Sequence, residues 1–170
     1  MLQQGIRRWL LAAVLALAFT GLRAQEPQRP LDLASFPRTS LEIAARAAGG
    51  EAARRHSFQV WVADTPERAT QGLMFVSDLP ESMGMVFPIE PPRVENMWMK
   101  NTYIELDLLF IDAQGRVSKI IERAEPLSLR TLSSVTPVSA VLELRGGQAA
   151  KLGLHTGDTV KWKKPAATER

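Results

Sequence analysis

Asn96-Met97-Trp98-Met99-Lys100-Asn101-Thr102-Tyr103-Ile104-Glu105-Leu106-Asp107-Leu108-Leu109-Phe110-Ile111-Asp112 is the stretch that decides the fold. Met97, Trp98 and Met99 read as extended, Asn101-Thr102 as a bend, and 105–111 as a strand apolar on both faces. Ala113-Gln114-Gly115-Arg116 then predicts a hairpin turn into a further strand over 117–121.

The same period recurs on either side. A strand is expected over 40–44, a turn at Gly49-Gly50, and a return strand over 57–63. In that return strand Phe58, Val60 and Val62 face one way and Gln59, Trp61 and Ala63 the other. Further strands are expected over 84–87, closed by Pro88, over 138–144 and over 159–163, while Glu90-Pro91-Pro92-Arg93 reads as a loop. Asp64-Thr65-Pro66-Glu67 predicts a short helix capped by Asp64 and stopped at Gly72. A second, over 148–152, is bracketed by Gly146-Gly147 and Gly153. Some seven short strands with Gly/Pro turns indicate a mainly β fold: a single sandwich-like, jelly-roll-like or barrel-like domain with one or two short helices.

Composition bounds the chemistry. The 170 residues include 21 Lys+Arg, 18 Asp+Glu and no Cys, which excludes disulfides, thiolate metal sites and a cysteine nucleophile. Arg7 and Arg8 precede the uncharged run 9–22, which is shorter than the about 20 apolar residues of a membrane span and ends near the small Ala24. Residues 1–24 therefore read as a secretory signal, with membrane contact only if that segment stays uncleaved. The expected organisation is a Pro-bearing arm over 25–38, one domain over 39–164 and a tail over 165–170. The signal carries Arg7, Arg8 and Arg23 and no acid, so the remaining basic residues equal the 18 acidic ones. The sequence pI near 9.6 thus reflects export, and nucleic acid is not an expected partner.

The order Val60-Trp61-Val62-Ala63-Asp64-Thr65, Glu67-Arg68, Gly72-Leu73-Met74, Gly84-Met85-Val86-Phe87, Trp98-Met99-Lys100-Asn101-Thr102 resembles the domain-of-unknown-function 192 family. Residues 106–112, Val141-Leu142-Glu143-Leu144 with Gly147, and Gly157-Asp158 continue the resemblance, which covers about 40–163. It implies a mainly β sandwich-like domain, often exported, with no established activity. Ile104-Glu105 stands where the family usually shows a proline before its Leu-Asp pair.

Candidate site residues concentrate in 96–107. Asp107, set among apolar neighbours, must be paired, hydrogen-bonded or protonated, and Lys100, Arg68 and Asn101 are candidate partners. Alternation puts Trp98 opposite Met97 and Met99. It is then either the aromatic floor of a pocket with Lys100 beside it, or a core residue with the Met pair at the rim. Arg68, Trp98, Lys100, Asn101 and Asp107 together form the candidate site of a non-enzymatic binding or accessory module. Its ligand would be a small molecule or peptide, and no cofactor is implied. Two alternatives compete: Cu(I) binding through Met74, Met83, Met85, Met97 and Met99, set against methionines that simply fill core gaps, and hydrolysis by Glu105 with Asp107. His56 and His155 lack metal-site spacing, and Lys161, Lys163 and Lys164 read as a protected strand edge.

Overall fold

Phe58, Val60 and Val62 on one side of a strand and Trp61 and Ala63 on the other make two apolar surfaces, and both must be covered. The computed structural model describes residues 29–46 and 53–163, and it covers both. The elements run β1 (Arg38–Ala45), β2 (Arg54–Val62), α1 (Pro66–Gln71), β3 (Met83–Arg93), β4 (Asn96–Met97), β5 (Leu106–Ile111), β6 (Val117–Ala124), β7 (Leu132–Ser133), β8 (Val138–Arg145), α2 (Gln148–Leu152) and β9 (Thr159–Trp162).

Seven strands form one mixed sheet in the order β6-β5-β8-β3-β2-β1-β9, and β4 and β7 pair separately. β2 and β3 are parallel, so α1 lies in the crossover that a parallel pair requires. The edge strands β6 and β9 approach at one end through the bridge Arg116↔Thr159, with the Val160 N–H donating to the Gly115 carbonyl at 2.8 Å. The sheet curls but does not close into a barrel. The mainly β class with two short helices is as expected. Within that class the architecture is one curled sheet.

One apolar cluster draws on all seven strands: Leu41, Phe58, Val86, Leu109, Val117, Leu142 and Val160 lie in it, inside the curl. The other covers the outer face, where Trp61, Met85, Phe87, Leu108, Phe110 and Val141 meet Leu73, Leu79 and Met99 from the loops and Leu132 of β7. Each fully buried Leu, Ile or Phe contributes about 1.5–3 kcal/mol, so both faces of β5 stabilise the fold.

Several local expectations change. β3 does not end at Pro88. It runs on to Arg93, with a register shift between Pro88 and Arg93, so Pro91 and Pro92 fall in an irregular stretch where no ladder donor is needed. Asp64 does not cap α1: Thr65 does, accepting the Arg68 N–H at 3.3 Å, while Asp64 forms an ion pair with Arg68. Glu105 precedes β5 and does not belong to it. Of the arm expected over 25–38, the described part is packed down. Phe36 is buried, Arg68 stands 5.5 Å over its ring, and Gln71 donates to the Leu31 carbonyl at 2.8 Å. β9 is an edge strand with Lys161 and Lys163 exposed, which fits the edge-protection reading. The expected signal over 1–24, the Gly49-Gly50 turn, Lys164 and the tail over 165–170 lie outside the described residues.

Candidate functional site

Gly84 is the first determinant of the site. A Cβ there would stand 2.5 Å from the Glu143 carbonyl oxygen, so only glycine lets β3 approach β8 at this level. Glu143 pairs across the sheet with Met85 on β3 and Leu108 on β5, both fully buried on the outer face. Its carboxyl is consequently set between apolar side chains: Glu143 is 4% exposed and its Oε2 has no hydrogen-bond partner among the described residues. Burial pushes the Glu143 carboxyl up from 4.5 to about 8, so at neutral pH it is an uncharged acid.

Above this acid opens a cleft of about 270 Å³. One wall is the end of α1 and the turn after it, from Ala69 to Met74; another is Phe87, Pro88 and Ile89 of β3. Gly72, at φ 51°, turns the chain so tightly against Phe87 that a Cβ would lie 3.2 Å from the ring. The third wall is the segment 93–102, held by the small β4–β7 sheet and by mutual bonds between Glu95 and Ser134. Trp98 stands at the rim, 50% exposed, with the Lys100 ammonium 5.6 Å from its ring centroid. Arg93 and Glu95 form an ion pair at 2.8 Å beside it. The cleft thus combines an aromatic face, two thioethers (Met74 and Met97), a rim cation and a buried acid without a partner.

A family model described as uncharacterized ACR, DUF192, matches residues 47–162. The chain belongs to the DUF192 family. A solved structure from Sinorhizobium meliloti 1021, provisionally named a transcription regulator, is similar at 35% identity and TM-score 0.70, over 75% of this chain and 95% of that one. A protein of unknown function from Novosphingobium aromaticivorans DSM 12444 is similar at 36% identity and TM-score 0.66, over 72% and 84% of the two chains. The comparison with curated proteins finds no match.

In this DUF192 domain the five residues singled out from the sequence do not converge. Trp98 and Lys100 do come together and line the cleft. Trp98 faces outward while Met99 is fully buried, which decides the orientation that alternation alone left open. Asn101, at φ 56°, sits behind the wall: its carbonyl accepts the Phe75 N–H at 2.9 Å, and its amide nitrogen lies 3.8 Å from the Met74 sulfur. It positions Met74. Arg68 ties α1 to Asp64, the Ser35 carbonyl and Phe36, away from the cleft lining.

Asp107 is fully buried, and its partners are not Lys100, Arg68 or Asn101. Oδ1 accepts the backbone N–H groups of Arg123 at 2.8 Å and Gly147 at 2.9 Å, and Oδ2 that of Ala149 at 2.7 Å. The carboxylate caps α2 and pins β6, a structural duty that occupies both oxygens. With Glu105 held by Arg123 at 2.8 Å, the pair Glu105 and Asp107 presents no free carboxylate couple for hydrolysis. The methionines divide as well. Met85 and Met99 are core, Met83 packs against it, and only Met74 and Met97 reach the cleft. The described residues contain no group of three metal-binding acids and histidines.

Glu143 is the residue that reading for chemistry missed. Its signal, one acid inside the apolar run Val141-Leu142-Glu143-Leu144, is the same one that drew attention to Asp107.

Proposed function

We propose that this chain is an exported, non-enzymatic binding module whose ligand occupies the cleft between Trp98 at the rim and Glu143 at the base. The observation that carries the reading is the buried, unpartnered Glu143 carboxyl opening into that cleft. A buried polar group without a partner costs about 1–3 kcal/mol, and a ligand that completes its hydrogen bonding recovers that loss. Trp98 supports the same reading, because a half-exposed indole beside a cleft offers a flat apolar face to a ring-bearing ligand.

Export rests on Arg7, Arg8, the apolar run 9–22 and Ala24. Protein recovered from the periplasm should begin just after residue 24, and a full-length cytoplasmic chain would contradict export. DNA binding, which the provisional name of the Sinorhizobium protein raises, finds no basic surplus to support it once residues 1–24 are removed.

A thermal-shift screen of small ring-bearing polar compounds tests the site. A saturating ligand, at about 100 times its Kd, should stabilise the wild type by about 2.7 kcal/mol. The Trp98→Ala protein should melt within about 2 °C of the wild type, because the side chain is half exposed, and should lose the ligand-induced shift. An equal shift in both proteins would place binding elsewhere.

A further inference from the structure

Resting on the cleft as the binding site, we infer that its ligand is a small carboxylate whose oxygen accepts a hydrogen bond from the Glu143 acid and whose charge balances that of Lys100. Its ring or other apolar body would lie against Met74, Met97 and Trp98.

The chemistry follows from what faces the cleft. Glu143, set between Met85 and Leu108, is in its acid form at neutral pH, so it has an O–H to donate and requires an acceptor from the ligand. The other ionisable groups lining the cleft are Arg93, Glu95 and Lys100. Arg93 and Glu95 balance each other's charge as an ion pair at 2.8 Å, in which Glu95 Oε2 makes no directed hydrogen bond. Lys100 stands over Trp98 and joins no ion pair among the described residues, so with Glu143 uncharged the lining carries one unbalanced positive charge. A cationic ligand would meet that charge and would leave the Glu143 O–H without an acceptor. An anion is drawn in by the ammonium at the mouth, and its carboxylate finds an acid donor at the base; O–H···O⁻ bonds are among the strong ones. The volume of about 270 Å³ suits a single substituted ring.

Binding then needs the Glu143 proton and weakens as pH rises past about 8. The test is an NMR titration of the mature protein, reading the Trp98 indole N–H, with benzoate, benzyl alcohol and benzylammonium as probes at pH 6.5 and pH 9. Benzoate should bind tightest at pH 6.5 and about tenfold more weakly at pH 9, where the acid is about nine-tenths ionised. Glu143→Gln, which keeps a donor that does not titrate, should bind benzoate equally at both pH values. Benzylammonium binding as tightly as benzoate, or wild-type benzoate affinity that ignores pH, would overturn the carboxylate assignment. Benzyl alcohol binding alone would overturn it too, leaving the cleft a site for neutral ligands. Silence of the Trp98 signal toward all three probes would remove the binding reading itself.

Discussion

Replacing Glu143 by Gln is expected to raise the unfolding temperature at pH 8 by roughly 10 °C and to leave it unchanged at pH 4. Below pH 4.5 the carboxyl is protonated whether the chain is folded or not, and its burial adds no pH-dependent cost. Between pH 4.5 and about 8 the unfolded chain releases this proton while the folded chain keeps it, so stability falls as pH rises. At 1.36 kcal/mol per unit, the loss by pH 8 is on the order of 4–5 kcal/mol. Gln has the same shape and does not titrate, though its buried amide also lacks a partner, so only part of that loss is recovered. Unfolding followed across pH 4–8 for both proteins checks this. A constant difference between them would mean that the Glu143 carboxyl titrates in the folded protein as it does in the unfolded chain.

Asp107→Asn should act in the opposite direction and at every pH near neutrality, lowering stability by roughly 3 kcal/mol, or about 10 °C. The native carboxylate accepts three backbone N–H groups. An amide turns one of the two oxygens into a donor that faces one of those N–H groups. Either the bond from Ala149 of α2, or those from Arg123 of β6 and Gly147 before α2, is then lost and left unsatisfied. Urea unfolding measures the loss. If Asp107 served a ligand rather than the fold, Asn would leave stability unchanged and abolish binding.

Those two acids mark the boundary of what the sequence made legible. The apolar runs of β5 and β8 are visible in the chain, and an acid within each is visible too. What separates them is tertiary. The partners of Asp107 are backbone groups at residues 123, 147 and 149, brought to it by the β5–β6 pairing and the glycine turn before α2. Glu143 receives no such partner, because its cross-strand neighbours are Met85 and Leu108. Spacing along one strand carries neither fact. Trp98 shows the same limit: alternation separates it from Met97 and Met99, but only the packing of Met99 against the outer face turns the indole outward. The cap of α1 failed for a different reason. Asp64 and Thr65 both suit the position, and Arg68 draws the Asp64 carboxylate into an ion pair instead. β3 ran past its prolines because a register shift removes the need for their missing N–H groups.

The hydrolase and copper readings fail to assemble for related reasons. Chain proximity placed Glu105 beside Asp107 and four methionines in two blocks, with Met74 a fifth. The fold gives the two acids separate structural partners and sends Met85 and Met99 into the core.

NMR mapping of the compounds that stabilise the protein decides whether the cleft above Glu143 is the binding site. Perturbations should converge on the Trp98 indole, the Asn96 side-chain amide and the backbone N–H signals of Gly72 and Thr102, four residues that line the cleft above Glu143. Perturbations that cluster instead around Asp78, Arg145 and Gly146, on the separate hollow beside Glu105, would contradict it.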